Sequence, residues 1–425
     1  MIKFLFQGLM RDKSRSRMPI IIVAIGVMLS VFLHAYINGM LNDSVEVNAR
    51  LSLGHVKVIT KAYSDNISQM PTDLAIVGTE SLTSELKKTF PDVTWVERIQ
   101  FGGLIDMPDD KGETVTQGSA MGFGIDMLSG NSEELDRMNI SKSLVRGQIP
   151  SKSNEILISE LFSQKLGVNP GDEVTLIGST MNGAMSYYNF IVSGTVSFGI
   201  QIMDKGCIVA DINDVRKALD MEDAATEING YLKSGFYTDN EANEIKDKFK
   251  SIFPEESEDD YAPVMLTLKS QGLIGQMIDI SSFMGMIVTS VFLIAMSLVL
   301  WNGGLLGGIR RYGEFGVRLA MGEEKKHVYI TLIYESVIIG IIGSIIGTFL
   351  GLLAAWYFQE YGINLGDTIK GSSVMIPNVF KAHITPADYY IGFIPGLIST
   401  VIGSALAGIG IYKRKTSQLF KELEA

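Results

Sequence analysis

The sequence predicts a polytopic α-helical membrane protein with four transmembrane helices and a large extracytoplasmic mixed α/β domain between helices 1 and 2. Hydrophobic residues make up 46% of the chain although 20% of it is charged, so the apolar residues must be concentrated in blocks. Four blocks contain no Asp, Glu, Lys or Arg: 18–42, 280–309, 336–359 and 389–412. Each exceeds the roughly 20 residues that a helix needs to cross about 30 Å of hydrocarbon.

These blocks divide the 425 residues into nine segments. The second span should stop near Trp301, because Gly303, Gly304, Gly307 and Gly308 weaken helix propagation. Pro19 suits the first turn of the first span, where its missing N–H costs nothing. In order, the segments are an amphipathic N-terminal helix (1–18), the first span (19–42), the outer domain (43–279), the second span (280–302), a loop (303–327), the third span (328–358), a short outer loop (359–388), the fourth span (389–412) and a tail (413–425).

Basic residues predict the orientation of the spans. Residues 1–17 hold five Lys and Arg, the 303–327 loop holds five and the tail holds four, whereas the outer loop 360–388 holds only two. Because Lys and Arg accumulate in cytoplasmic loops, both termini and the 303–327 loop should be cytoplasmic. The first block is too long for a cleaved signal peptide, whose apolar core runs about 7–15 residues.

The 237 residues from 43 to 279 should therefore lie outside the cytoplasm. Their net charge is −17, against +6 for the rest, which argues against a nucleic-acid partner. Helical patterns at 80–90 and 240–253 flank several β-like runs, and a Gly167 helix end precedes a Pro-Gly turn. We expect a β-rich lobe inserted between two βα-type halves. The one cysteine, Cys207, excludes an intrachain disulfide and should be a buried strand residue.

The chain shows no enzymatic motif. It contains no Gly-Lys dipeptide, which excludes a phosphate-binding loop of the G-x-x-x-x-G-K-[ST] type. Its four histidines are scattered without metal-site spacing, and no G-x-S-x-G sequence is present. We therefore expect no enzyme activity, no metal and no cofactor bound by this chain; any ATP and Mg²⁺ would be used by another subunit.

The 303–327 loop contains a short amphipathic helical pattern. In 312–321, Tyr312, Phe315 and Leu319 share one helical face, and Glu314 can pair with Arg318 at i, i+4. Gly322 suits a left-handed C-cap. Two interpretations remain from this pattern: a helix lying among lipid headgroups, or a docking helix that inserts into a cleft of a soluble partner.

A family resemblance favours docking. The stretch RRYGEFGVRLAMGEEKKHVYITLIYESVIIGIIGSIIGTFLG (310–351) resembles the cytoplasmic loop and next helix of FtsX-type ABC transporter permeases, and VRGQIPSKSNEILISELFSQKLGVNPGDEVTL (145–176) is similar to the outer-domain signature of MacB-like and lipoprotein-releasing (LolC/LolE-type) members. The four-span topology with a large outer domain also matches. The matching positions in the first stretch are Arg311, Glu314, Phe315, Arg318, Ala320, Gly322, Lys325, Glu335, Gly343 and Gly347.

The resemblance implies a type VII permease of the bacterial inner membrane with a MacB-like periplasmic domain. Its coupling helix would dock on a cytoplasmic ABC ATPase, and a second permease copy or a related permease would complete the dimer. Such systems turn ATPase closure into movement of the outer domains (mechanotransmission). We expect Phe315→Asp to uncouple ATP hydrolysis from transport while membrane insertion stays intact. The coupling residues would be Arg311, Glu314, Phe315, Arg318, Leu319, Ala320, Met321 and Gly322.

Four further sets of residues are candidates for function or for helix packing. His34 and Asn38 in the first span could line a lipid cavity opposite Met277, Phe283, Met284 and the nearby Met286, or serve ordinary helix packing. Glu335 could be structural or part of coupling. A carrier-binding hook could be formed by the 178–190 loop, which otherwise is an ordinary hairpin. The hook would display Met181, Met185, Tyr187 and Tyr188. In the third span, the four-residue spacing of three glycines predicts close packing against another helix at Gly343, Gly347 and Gly351.

The resemblance implies a permease subunit that extracts lipoproteins from the inner membrane and passes them to a periplasmic carrier. One alternative is a MacB-like exporter of toxins, drugs or peptides, whose permeases usually carry a fused ATPase. Another is a regulator that transmits ATP-driven motion to a cell-wall hydrolase without transporting anything.

Overall fold

The computed structural model describes residues 13–109, 112–130, 132–199, 201–254, 259–364 and 379–413. The chain forms two compact units. The membrane unit comprises Met1–Asp43, Ile280–Asn364 and Val379–Ala425, and the outer domain comprises Ser44–Asp279 and Leu365–Asn378. Most of the amphipathic helix predicted for 1–18, and the tail after residue 413, lie outside the described residues.

The first helix, α1 (Lys13–Asn48), runs from the first span into the outer domain. Pro19 lies inside this helix and not in its first turn, so the expected helix start is wrong. A π-helical turn, Ala49–Leu53, continues α1 and ends at Gly54, whose φ is 68°. A positive φ at this position is readily adopted only by glycine.

The outer domain alternates short helices with strands along the chain. Its elements are β1 (Val56–Thr60), α2 (Lys61–Asp65), β2 (Ile76–Val77), α3 (Thr79–Thr89), β3 (Val93–Pro108), β4 (Thr114–Ile125), α4 (Glu134–Arg137), α5 (Ile140–Ser143), β5 (Leu144–Gly147), β6 (Glu155–Ser159), α6 (Glu160–Leu166), β7 (Glu173–Ser179), β8 (Met185–Val196), α7 (Gln201–Asp204), β9 (Cys207–Asp211), α8 (Ile212–Leu219), β10 (Ala224–Ala225), β11 (Glu227–Leu232), α9 (Asp239–Ile252) and β12 (Pro263–Thr267).

A ten-stranded sheet organises these elements. Its order is β12-β1-β11-β3-β4-β9-β6-β8-β5, and β7 pairs with β3 and β8. The first four strands pair antiparallel, and α3 and α9 bury Leu86 and Phe249 in the same hydrophobic cluster as these strands. In sequence, the chain from β4 to β9 lies between β3 and β11, and all these strands belong to the one sheet. The predicted mixed α/β domain between the first two spans is confirmed.

A local sequence signal correctly predicted the end of one helix in the outer domain. Gly167 follows α6 with φ 74°, as its left-handed C-cap role predicts.

Cys207 is buried at the start of β9, and burial raises the pKa of its thiol. A buried thiol of raised pKa behaves as a small apolar core residue.

The rest of the chain forms the membrane unit. Four helical segments of the described residues are long and apolar enough to cross a membrane: Arg17–Leu53, Ile274–Ala320, Lys325–Tyr361 and Pro386–Lys413. This confirms the four predicted transmembrane helices. The elements are α10 (Gly272–Ile309), α11 (Tyr312–Ala320), α12 (Lys325–Tyr361), β13 (Ile363–Asn364), β14 (Val379–Phe380), a 3-10 turn (Pro386–Tyr389), a π-helical segment (Ile394–Ser399) and α13 (Thr400–Lys413).

The helix that contains the second span does not end near Trp301, as its glycines had suggested, and the end of the span itself stays a prediction. Instead α10 continues to Ile309, because two of those glycines are used for packing against α13. A Cβ on Gly304 would lie 2.7 Å from the Thr400 carbonyl oxygen, and one on Gly308 would lie 2.5 Å from Ala407 Cβ. Close helix contact therefore outweighs the low helix propensity of glycine here.

A stripe of three glycines on α12 packs closely against α1: Gly343, Gly347 and Gly351. A Cβ on Gly343 would lie 2.7 Å from Val23 Cβ, and one on Gly351 would lie 2.8 Å from Val31 Cβ. At Gly347 the added carbon would lie 2.5 Å from the Ala24 carbonyl oxygen. The spacing of four residues on both helices lets valines of α1 fill the spaces left by the glycines of α12.

Candidate functional site

The loop between the second and third spans folds into α11, whose inner face is bound to neighbouring helices of the membrane unit. Tyr312 and Phe315 are buried in one cluster with Val328, Leu332 and Ile411. The Tyr312 hydroxyl also donates a 2.7 Å hydrogen bond to the Ala407 carbonyl. The loop helix is therefore attached to both α12 and α13.

This attachment corrects the role assigned to the apolar face of the loop helix. Phe315 is only 1% exposed, and Leu319 packs partly buried against the same cluster. The face that periodicity had suggested for a partner is thus occupied by the protein's own helices. Phe315→Asp would place a carboxylate in this cluster, so it would disturb packing and would not test docking alone.

Arg311 joins the start of α11 to the third span. Its Nη1 donates a 2.6 Å hydrogen bond to Glu335 Oε2, and its Nε lies 3.4 Å from Glu314 Oε2. The guanidinium carbon also lies 5.6 Å from the centroid of the Phe315 ring. Glu335 is thereby paired with a basic partner at the end of the loop, as is usual for a carboxylate near the membrane edge.

A second ion pair closes the other end of α11. Arg318 binds Glu323 with two hydrogen bonds, 2.6 Å from Nε to Oε2 and 2.5 Å from Nη2 to Oε1. These bonds hold the pKa of Glu323 below its usual value.

The expected ion pair between Glu314 and Arg318 is wrong, because Glu314 lies beside Arg311 and Arg318 binds Glu323. Gly322 has φ 95°, in agreement with its predicted place at the helix end.

The tip of α11 stays exposed. Val317, Ala320 and Met321 lie at spacings of three and four, and the Met321 side chain is 75% exposed. These three residues and Gly322, which we call the loop tip, form a small apolar surface beside the Arg318–Glu323 pair. A surface of this kind suits contact with a partner more than the buried Phe315 face does.

His34 and Asn38 are half-buried and hydrogen-bonded within the membrane unit. His34 Nδ1 lies 2.7 Å from Asp388 Oδ1, and Asn38 Nδ2 lies 3.3 Å from the same imidazole nitrogen. Thr385 donates two further hydrogen bonds to Asp388 Oδ2, at 2.6 Å and 2.8 Å. The two span residues are thus engaged in a polar cluster within the protein, and their place in a lipid cavity stays a prediction.

Asp388 is a residue that sequence reasoning missed, because it was assigned to the end of the outer loop. It forms a capping box with Thr385 at the start of the last span. The sequence Thr-Pro-Ala-Asp carries the signal for such a box, an acidic residue three positions after a threonine.

The apolar residues assigned to the lipid cavity all lie on α10. Met277, Phe283, Met284 and Met286 are exposed, and close contact of α10 with α1 is made instead through Gly285. A Cβ on Gly285 would lie 2.5 Å from Leu41 Cδ1. These side chains are free to meet acyl chains, and their role in a substrate path stays a prediction.

The 178–190 loop is a short hairpin between β7 and β8. Met185 is 68% exposed, and Tyr187 is also exposed. Met181 packs against the outer-domain core, and the Tyr188 hydroxyl donates a 2.6 Å hydrogen bond to Asn154 Oδ1. Met185 and Tyr187 are thus more available at the surface than the half-buried Met181 and Tyr188, and the carrier-binding hook stays a prediction.

Among the residues that the structure describes, no group of three or more His, Cys, Asp or Glu side chains is placed to hold a metal ion.

Parts of this chain are similar to known proteins. The FtsX-like permease C-terminal family matches residues 286–416. The lipoprotein-releasing system transmembrane protein LolC of Haemophilus influenzae is 21% identical over 285 residues, which cover 63% of this chain and 64% of that protein. The periplasmic region of MacB from Actinobacillus actinomycetemcomitans is similar in structure, with a TM-score of 0.36 and 13% identity, over 54% of this chain and 94% of that region. Residues 286–416 are therefore similar to the C-terminal domain of FtsX-like permeases, and the four spans with an α/β domain between the first two are those that the sequence resemblance predicted.

Proposed function

We propose that this chain is the permease subunit of an ABC transporter in which a separate cytoplasmic ATPase docks on the loop tip. The observation that carries the proposal is the division of α11 into two surfaces. Its inner face is bound to α12 and α13 through the Arg311–Glu335 and Tyr312–Ala407 contacts, while Met321 and its neighbours are exposed. A force applied to the tip would pass directly to two spans.

The proposed orientation places the loop helix and both termini in the cytoplasm of a bacterium and the acidic outer domain in the periplasm. The excess of Lys and Arg around the loop supports this orientation. The permease would work as a dimer with a second copy or a related permease. ATP and Mg²⁺ would be bound by the ATPase.

The proposed substrate is a lipoprotein, extracted from the outer leaflet of the inner membrane and passed to a periplasmic carrier. Support comes from the 21% identity to a protein named as part of a lipoprotein-releasing system. The exposed Phe283 and Met284 on α10 offer adaptable apolar surface for acyl chains. Met185 and Tyr187 on the outer-domain hairpin are the residues that would contact a carrier.

Copurification tests the substrate. The permease is isolated with its ATPase before ATP is added, and the bound material is identified by mass spectrometry. We expect triacylated peptides that are released when ATP is added. If nothing acylated is bound before ATP, the lipoprotein proposal is wrong while the permease assignment stands.

Substitution of Met321 tests the docking site. Met321→Asp adds a charge to the loop tip, and we expect ATPase copurification to fall by about thirtyfold, the effect of losing a contact of about 2 kcal/mol. The matched control is Met185→Asp, which changes a similarly exposed methionine in the outer domain. If the two variants retain the same amount of ATPase, the ATPase does not dock on the loop tip.

A further inference from the structure

Six strands of the outer domain close into a ring. β3 pairs with β4, β4 with β9, β9 with β6 and β6 with β8, while β7 pairs with both β8 and β3. Successive side chains of a strand point to opposite sides. All six strands place side chains in one buried cluster, among them Phe101, Leu176 and Phe190, and this cluster marks the inner side of the ring. The outer side has to be covered by other elements or to face water.

Short helices cover only part of the outer side. Phe123 on β4, Leu157 on β6 and Val209 on β9 lie in a second buried cluster with Ile140 of α5 and Met203 of α7. On β3, β7 and the first halves of β4 and β8, most outer side chains are exposed or half-buried instead. We call this second part of the outer side the open face.

The open face carries a patch of apolar side chains. Strand pairing aligns Tyr187 on β8 with Ile177 on β7, and Ile177 with Leu104 on β3, so these three side chains form a row across the strands. A sheet surface that faces water normally carries polar side chains, and a contiguous apolar patch marks an interaction site. All members of the patch are exposed except the half-buried Ile177: Leu104, Val115, Ile177, Met185, Tyr187 and Ile191.

Charge on the open face is of one sign. The strand segments that form it contain no Lys or Arg, and their charged residues are all acidic: Asp106, Glu113 and Glu173. A bound partner would therefore gain from positive charge at its contact surface. The segments are 102–108, 113–121, 173–179 and 185–191.

Asp106 places a carboxylate oxygen without a donor on the open face. It lies between Thr175 on β7 and Gln117 on β4, and only 8% of it is exposed. Its Oδ1 forms no hydrogen bond with any residue that the structure describes. Burial of a carboxylate without a partner costs free energy, so such an atom indicates a donor that comes from another molecule. A Lys or Arg of a bound protein would supply that donor.

We propose that the open face is the docking site of a soluble protein whose contact surface is apolar and bears Lys or Arg, one of which bonds to Asp106. A second copy of this chain fits poorly, because the outer domain has a net charge of −17 and acidic surfaces repel each other. The proposal deepens the carrier contact at Met185 and Tyr187, and it rests on the proposed function only where it identifies the docked protein as that carrier.

Photo-crosslinking in cells that produce the full-length chain tests for the partner. The photoreactive amino acid p-benzoylphenylalanine replaces Tyr187, and in the control it replaces Val77. Val77 is 64% exposed on β2, which belongs to a separate two-stranded sheet. We expect an adduct at position 187 alone, with a protein that mass spectrometry identifies as positively charged. An adduct with a second copy of this chain, equal yields at the two positions, or no adduct at position 187 would overturn the proposal.

Binding of the purified crosslinked protein to the full-length chain in detergent measures the contribution of the face. Tyr187→Asp should weaken binding by about tenfold or more, as expected for an aromatic side chain at the centre of an interface. Val77→Asp should leave binding within about twofold of wild type. Binding to the wild-type chain should also weaken as the salt concentration rises, because salt screens the attraction between acidic and basic groups. Equal binding by the two variants would contradict the proposal.

Asp106→Asn separates a docking role from a structural one. Because the carboxylate is buried with one oxygen unbonded, this variant should unfold at the same temperature as wild type or higher. Its binding to the partner should nevertheless weaken by about tenfold or more, since a charged hydrogen bond across the interface is lost. The control is Glu173→Gln, which changes an exposed carboxylate that already accepts a 2.8 Å hydrogen bond from Asn189. It should keep binding within about threefold of wild type.

The opposite pattern for Asp106→Asn would overturn the choice of partner: a lower unfolding temperature with unchanged binding would make the carboxylate a structural group. None of these measurements uses ATP or the ATPase, and the crosslink at position 187 can be repeated in a chain that carries Met321→Asp. Loss of ATPase docking or of acylated material would therefore refute the proposed function alone.

Discussion

Gly347→Ala is expected to destabilise the membrane unit by about 1–3 kcal/mol, the usual cost of adding a methyl group to a close-packed site. The added Cβ would lie 2.5 Å from the Ala24 carbonyl oxygen and 2.7 Å from Val27 Cβ. The first of these atoms belongs to the backbone of α1, so relief needs the whole helix to move. In detergent, the midpoint of thermal unfolding should fall by on the order of 5 °C.

Gly307→Ala is the matched control. Gly307 is also helical and lies in the membrane unit, but a Cβ built on it has no neighbouring atom within 4 Å. Because alanine favours helix over glycine by about 1 kcal/mol, this change should leave stability unchanged or raise it. Equal losses at the two positions would mean that the glycine stripe does not set the distance between α1 and α12.

A double-mutant cycle locates the contact. At Gly343 the nearest atoms to an added Cβ are Cβ and Cγ1 of Val23, both at 2.7 Å, so the obstruction is a side chain. Val23→Gly should therefore recover part of the stability lost in Gly343→Ala, and the two changes should be non-additive. The same Val23→Gly change should not rescue Gly347→Ala, whose added carbon meets other atoms.

Hydropathy was sufficient to predict the number of spanning helices and their places in the sequence. A stretch of about 24 residues without charge has few alternatives to a spanning helix, and all four such stretches are helical. The end of α6 at Gly167 and the turn after it were also predictable, because they depend on local backbone preferences. Pairing of distant strands, such as β1 with β11 and β12, depends on long-range contacts that no local pattern contains.

Glycines and a proline caused the main errors in helix bounds. Propensity predicts that Gly303 to Gly308 end a helix, but contacts of Gly304 and Gly308 with α13 stabilise it through Ile309. Likewise Pro19 lies inside α1. In both places the tertiary environment of a spanning helix outweighs intrinsic preference.

The site illustrates a related limit of periodicity. Helical spacing correctly put Tyr312, Phe315 and Leu319 on one face, but it carries no information about what covers that face. The same holds for Arg98, Glu134, Lys57 and Glu227, which come from four separate segments and look like ordinary surface charges in sequence. Only the fold pairs them, in the interior of the outer domain.

Separation of Arg311 from Glu335 is expected to uncouple ATP hydrolysis from transport in the proposed complex. Arg311→Met removes the 2.6 Å bond that joins the loop helix to α12, and it leaves the exposed loop tip unchanged. A hydrogen bond to a charged group contributes about 1.5–3 kcal/mol, so substrate released per ATP hydrolysed should fall about tenfold or more. ATPase copurification should stay within about twofold of wild type.

Arg310→Met is the control for the loss of a positive charge, because Arg310 is the exposed neighbour of Arg311. Charge exchange, Arg311→Glu with Glu335→Arg, should restore part of the coupling, since the pair is rebuilt with its polarity reversed. If Arg311→Met instead loses the ATPase as completely as Met321→Asp does, the Arg311–Glu335 pair belongs to the docking surface. Transmission would then have to run through Tyr312 and its hydrogen bond to the Ala407 carbonyl, and Tyr312→Phe should uncouple the complex instead.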